Sequence, residues 1–296
     1  MKLTLPLLTA LLGLGLSSTS IAADPTPPLG PALTAAGAKV SPTYFSRNQV
    51  LQIKADAPLP EDVWKEIEAL APHEIGATGK GFDDAAVARL AKLPVELLYL
   101  DGSSLTDDGW AAFKQMTKLK KVSLSHNLSW KGTGAAALAN HPSLTSLAIG
   151  GSSFGDPGVA PIATIKQLQS LTFFHMGVTD VGLAALANHP AIESLKLSPQ
   201  GTPRLTDESL KTVATLKALK QLAISDTVLT YDGGLKLLKS LPNLQTLTLE
   251  NIGLSDADLA RLKADLPKVD VKFKPWTPDL IAKWEAQREK MKAAKK

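Results

Sequence analysis

The 296-residue chain contains no cysteine. That excludes disulfide bridges, thiolate metal ligands, cysteine nucleophiles and an acylated-cysteine anchor together. Clustered positive charge is missing too. The formal net charge is +4, but Lys2 and the C-terminal tail carry the excess. From Thr277 onward, six Lys/Arg stand against three Asp/Glu, and the rest of the chain is close to neutral. A nucleic-acid-binding face needs grouped cations on the working surface, so no nucleic-acid partner is expected. A comfortable membrane span is also lacking. The N-terminal apolar run over residues 5–16 is short and interrupted by Pro6 and Gly13. Preceded by Lys2 and followed by Ser20-Ile21-Ala22-Ala23, it reads as a secretory signal over residues 1–23. The expectation is an exported bacterial protein, periplasmic or secreted, with no transmembrane segment after signal cleavage.

What the chain does have is a repeat. The first apolar residues of successive copies are Leu51, Ile75, Leu98, Val122, Leu147, Leu171, Leu195, Leu222, Leu247 and Val271, spaced 23 to 27 apart. A fixed period in the twenties marks a solenoid. Two residues further on lies a second apolar residue, such as Leu100, Leu124, Phe173 or Leu249. This alternation predicts a short strand with one buried face. After a loop comes an apolar residue, then Thr, Ser or Gly, then Asp, as in Leu105-Thr106-Asp107, Val178-Thr179-Asp180 and Leu205-Thr206-Asp207. Thr or Asp oxygens there suit the free N–H groups at a helix start. Apolar pairs three apart follow (Trp110/Phe113, Leu183/Leu186, Leu210/Val213), and Asn140-His141-Pro142 or Asn188-His189-Pro190 ends the helix. Because no copy can bury its own apolar edge, neighbours must stack. The predicted fold is therefore an α/β solenoid with a parallel β-sheet on the concave face and helices on the convex face.

The stretch Leu168, Leu171, Phe173, then Val178-Thr179-Asp180-Val181-Gly182-Leu183, resembles the leucine-rich repeat family. It is most similar to the ribonuclease-inhibitor-like and F-box-associated kind, and the resemblance covers residues 50–273. It implies a curved right-handed horseshoe. One departure is visible. The turn position that often holds Asn or Cys in that family is Ser103, Asn127, Ser152, Met176, Thr227 or Ile252 here.

The domain layout follows. Residues 24–42, rich in Pro, Ala and Gly, read as a linker. The repeat domain covers 43–276. Its N-terminal cap occupies 43–70, with a strand near Leu51 and Ile53 and a helix over 61–70, where Pro60 suits the first turn. Residues 277–296 should form a C-terminal capping helix, with Leu280, Ile281 and Trp284 over the last repeat, and a basic tail.

A partner would meet the strand side chains that point away from the core. The central column reads Tyr99, Ser123, Ala148, Thr172, Lys196, Ala223, Thr248 and Lys272, flanked by Asp101, Ser125, Gly150, Phe174 and Ser198. His126 and His175 follow two strands directly. Large residues at exposed strand ends mark interaction sites, so the candidate binding residues are Tyr99, Asp101, His126, Thr172, Phe174, His175 and Lys196. Trp130 and Met176 are expected to turn inward. A protein or peptide partner is favoured. A glycan on the same polar face, or a structural, self-associating envelope role, are the alternatives.

Catalytic motifs reduce to the repeat. Gly151-Ser152-Ser153-Phe154-Gly155 matches a nucleophile elbow in form, but the repeat assigns Phe154 to its buried slot. Gly132-Thr133-Gly134 lacks the strand-proximal position that a dinucleotide site needs. His126 and His175 sit two copies apart, roughly 10 Å at ~4.8 Å per strand, too loose for one ion. No enzyme activity, metal site or cofactor is expected.

Overall fold

The computed structural model describes residues 28–43, 46–199, 205–279 and 282. The signal segment, Leu280, Ile281, Trp284 and the basic tail lie outside these residues.

Eleven strands form one sheet in the order of the sequence. They are β1 (Lys39–Ser41), β2 (Val50–Lys54), β3 (Glu74–Thr78), β4 (Leu97–Asp101), β5 (Lys121–Ser125), β6 (Ser146–Gly150), β7 (Ser170–Met176), β8 (Ser194–Pro199), β9 (Gln221–Thr227), β10 (Thr246–Ile252) and β11 (Asp270–Pro275). Only β1 runs antiparallel, against β2, and the other pairs are parallel. The register pairs Leu98 with Val122, Val122 with Leu147, Leu147 with Leu171 and Leu171 with Leu195, so the predicted repeat phase is the ladder phase. These residues and their i+2 partners are buried. Each fully buried Leu or Ile contributes about 1.5–3 kcal/mol relative to exposure.

The other side of each copy is less regular than predicted. True α-helices are α1 (Pro31–Ala35), α2 (Glu61–Leu70), α3 (Asp84–Leu90), α4 (Val159–Ala163), α5 (Asp180–Leu183), α6 (Asp207–Val213) and α7 (Asp256–Asp265). The copies after β4, β5 and β9 instead carry 3-10 helix, at Asp108–Gln115, Thr133–Leu138 and Leu235–Ser240. Apolar pairs three apart fit either form, because i and i+3 eclipse in a 3-10 helix. Trp110 anchors this layer: it meets Phe113 and Trp130 edge-on at 5.6 Å and stacks on Phe154 at 5.9 Å. Trp130 and Met176 are buried, as expected. The Trp130 indole donates to the Leu105 carbonyl at 2.7 Å.

The Asp of the Thr-Asp pair does more than the sequence reading gave it. Thr179 and Thr206 do cap their own helices, accepting from Val181 and Glu208 N–H. The Asp carboxylates reach forward into the next copy. Asp84 accepts from the Thr106 N–H and hydroxyl, both at 2.7 Å. Asp156 holds Thr179, Asp180 holds Thr206 and Asp207 holds Thr230 through the same pair of bonds. Asp107 takes the backbone N–H groups of Lys131, Gly132 and Gly134. The motif is a tie between repeats.

Residues 31–41, read as part of a linker, are a correction. They form α1 and β1. Pro31 stands at the helix start, where its missing N–H costs nothing. The Glu66 carboxylate of α2 accepts from Ala32 and Leu33 N–H at 3.0 and 2.8 Å, and Leu33 is buried. The residues that order this segment lie over thirty positions downstream.

Candidate functional site

At the end of each strand the chain must turn sharply away from the sheet. It does so through one residue in the left-handed region: Gly102 (φ 61°), His126 (54°), Gly151 (57°), His175 (51°), Asp226 (59°) and Asn251 (53°). His, Asp and Asn are among the few non-glycine types that accept this conformation. The next residue in each copy (Ser103, Asn127, Ser152, Met176, Thr227, Ile252) is buried. Asn127 and Thr227 satisfy themselves on carbonyls of the preceding copy, Asn127 on Ser103 and Leu105 and Thr227 on Leu205. The variable turn position is thus a uniform buried column, and the left-handed residue before it points its side chain onto the sheet rim.

Two groups assemble there. Asp101 accepts from the Ser125 hydroxyl at 2.8 Å and lies 2.5 Å from Nδ1 of His126. The His126 side chain is 71% exposed. Its ring lies over Gly151, where an added Cβ would come within 2.7 Å of it. Phe174 leans over the neighbouring Gly150 in the same way, at 3.2–3.5 Å from where a Cβ would stand. The Gly150-Gly151 pair lets both rings lie on bare backbone. In the second group, Phe174 stacks on His175 with centroids 3.8 Å apart, and the Lys196 ammonium sits 5.4 Å from the Phe174 centroid. Asp226 lies 4.0 Å from His175 Nε2 and is held by Ser198 (2.9 Å) and Asn251 (2.8 Å). Burial pushes the His175 imidazole below the usual histidine range. Asp226 opposes this, whereas Lys196 and His126 add to it.

The structure therefore brings Asp101 to His126, and Phe174 to His175 and Lys196. Tyr99 and Thr172 lie on the same sheet face, two residues before Asp101 and Phe174 on β4 and β7, a step of about 7 Å along a strand. Tyr99 is half-buried and faces the N-terminal end of the sheet, apart from the Phe174 group. Asp226, Ser198 and Asn251 were not among the sequence candidates. Aligning the copies puts Asp226 and Asn251 in the slot of His126 and His175, which is the signal that would have found them. Ser153 is exposed, and no histidine bonds to it among the described residues. His141 and His189 are buried helix-end residues, and His189 Nε2 lies 3.0 Å from the Ile165 carbonyl oxygen.

No known family's sequence profile matches the chain, and no curated protein matches it. Among solved structures, the crystal structure of the TLR13–ssRNA13 complex matches 76% of this chain and 32% of that one, with TM-score 0.52 and 18% sequence identity. The chain thus spans about a third of that protein's length, and at this identity the likeness concerns the fold alone. Joined to the eleven-stranded, mostly parallel sheet and the helices behind it, it identifies the architecture: the chain folds as a leucine-rich repeat solenoid.

Proposed function

We propose that this chain is an exported binding scaffold that holds a protein or peptide segment along the strand-end rim of its sheet. The Thr-Asp ties and the strand-loop-helix order support repeats of the ribonuclease-inhibitor-like, F-box-associated kind. One observation carries the binding reading: His126, Phe174 and His175 form a row of rings laid on the Gly150-Gly151 backbone, with Asp101 at one end and Lys196 and Asp226 at the other. None of these rings fills the core. Ring faces supply contact area at low entropy cost, and the charged ends fix the direction of an extended segment. The N-terminal signal supports export.

The test is selection of a random-peptide display library on the purified protein, followed by fluorescence polarisation with a selected peptide. Phe174→Ala should weaken binding at least tenfold, equivalent to about 1.4 kcal/mol. Lys114→Ala, on the opposite side of the molecule, should leave it unchanged. Peptides that bind both variants as tightly as the parent, or no saturable binding at all, would remove this surface from consideration.

A further inference from the structure

A second concave feature lies at the N-terminal end of the sheet, away from Phe174. β1 folds back antiparallel on β2, so Lys39 stands beside Gln52 in register. Gln52 in turn pairs with Gly76, and Gly76 with Tyr99. Gly76 has no side chain, so the row Lys39, Gln52, Gly76, Tyr99 is a trough with walls on both sides. The resulting groove has a volume of about 460 Å³ and is also lined by Ser41, Lys54 and Thr78. That is within the range of small-ligand sites.

The chemistry of the walls is specific. Lys39 and Lys54 make no ion pair or hydrogen bond among the described residues. The carboxylates nearest in the ladder are engaged elsewhere: Glu74 accepts from Asn48 at 2.5 Å, and Asp101 is held by Ser125 and His126. Two ammonium groups therefore face the groove without an anion. The Gln52 amide is oriented by its Nε2, which donates to Ser41 Oγ at 2.7 Å. This leaves its carbonyl oxygen to accept from a ligand. Ser41 and Thr78 hydroxyls can both donate and accept, and Tyr99 contributes an aromatic wall. An extended peptide would need backbone partners, and the floor's backbone is consumed by the parallel ladder.

We propose that this groove is a separate binding site for a carboxylated sugar. The carboxylate lies between Lys39 and Lys54, ring hydroxyls bond to Gln52 and Thr78, and the ring face lies along Tyr99. The site is independent of the peptide-binding rim, so each can fail without the other.

The experiment is calorimetric titration of the intact protein with trigalacturonic acid, its neutral methyl ester and tetraglutamate. The acid should bind saturably, with affinity falling as salt is raised. The methyl ester and tetraglutamate should each bind at least tenfold more weakly. Lys39→Gln/Lys54→Gln should lose at least tenfold for the acid, Gln52→Leu should also weaken it, and Phe174→Ala should stay within twofold of the parent. Circular dichroism confirms that each variant is folded, and the acid–ester comparison needs no variant. Absence of saturable binding, equal binding of acid and ester, equal binding of tetraglutamate, or an unaffected lysine double variant would each overturn the proposal.

Discussion

Two columns of this solenoid repeat with the same period but are used in opposite ways. In the Thr-Asp column, each side chain is consumed by the next copy: Asp180 by Thr206, Asp207 by Thr230. Chemistry is fixed because the neighbour depends on it. In the strand-end column, the neighbour depends only on a backbone in the left-handed region. Any residue that tolerates that conformation will serve, and Gly, His, Asp and Asn all appear. The first column holds the repeats together. The second leaves side chains unclaimed by the fold, and the candidate binding surface is built from those.

That contrast can be tested by substitution. The largest loss should come from the layer behind the ties. Trp110→Ala removes a fully buried ring packed on three others and should cost about 3–5 kcal/mol in urea denaturation. Asp180→Ala cuts one tie and should cost about 1.5–3 kcal/mol, the worth of hydrogen bonds to a charged group. In the strand-end column, His126→Val places a branched residue at φ 54° and should cost about 1–2 kcal/mol. His126→Gly should leave stability unchanged or slightly raised, and weaken peptide binding. If His126→Gly destabilised as much as Asp180→Ala, the distinction between the columns would collapse. The smallest effect should come from the buried histidines. Burial lowers the pKa of His141 and of His189 below the usual 6.5. The unfolded chain then binds more protons than the native one in the window below 6.5, so stability falls as pH drops through it. His189→Gln should flatten that part of a melting-temperature profile against pH.

The repeat phase was legible because a two-residue alternation leaves one face to bury: Leu98, Val122 and Leu147 could pair in no other register without exposing every partner. The helix over residues 61–70 was equally plain, with its buried Val63, Trp64 and Ile67 on one side. Three features escaped. Apolar spacing of three does not separate α from 3-10 geometry, so the segment at Asp108–Gln115 read as α. The carboxylate of Asp180 matched a helix-start preference, and nothing local shows that its partner Thr206 is one copy away. Segment 31–41 carries linker composition, and its order comes from Glu66, which no local pattern connects to Ala32. At the candidate site, Phe174 and His175 stood out by size, whereas Asp226 did not, because an acidic residue in a loop attracts no notice until the copies are aligned by backbone conformation.

The Asp ties also divide the molecule mechanically. Gly132 occupies the slot of the Asp in the copy that follows β5, and Tyr231 occupies it after β9, where the ring instead packs under Arg261 at 3.9 Å and its hydroxyl donates to Asp265. Between the copies of β5 and β6 the carboxylate tie is therefore replaced by close backbone approach, Gly155 N–H to the Lys131 carbonyl at 3.3 Å. Ties run in one block up to β5 and in another from β6 to β9. His126 belongs to the first block, Phe174, His175, Lys196 and Asp226 to the second, and Gly150-Gly151 lies just past the seam. A segment gripped at both ends of the ring row is a clasp across that seam, and its occupancy changes how the two halves of the solenoid bear load against each other.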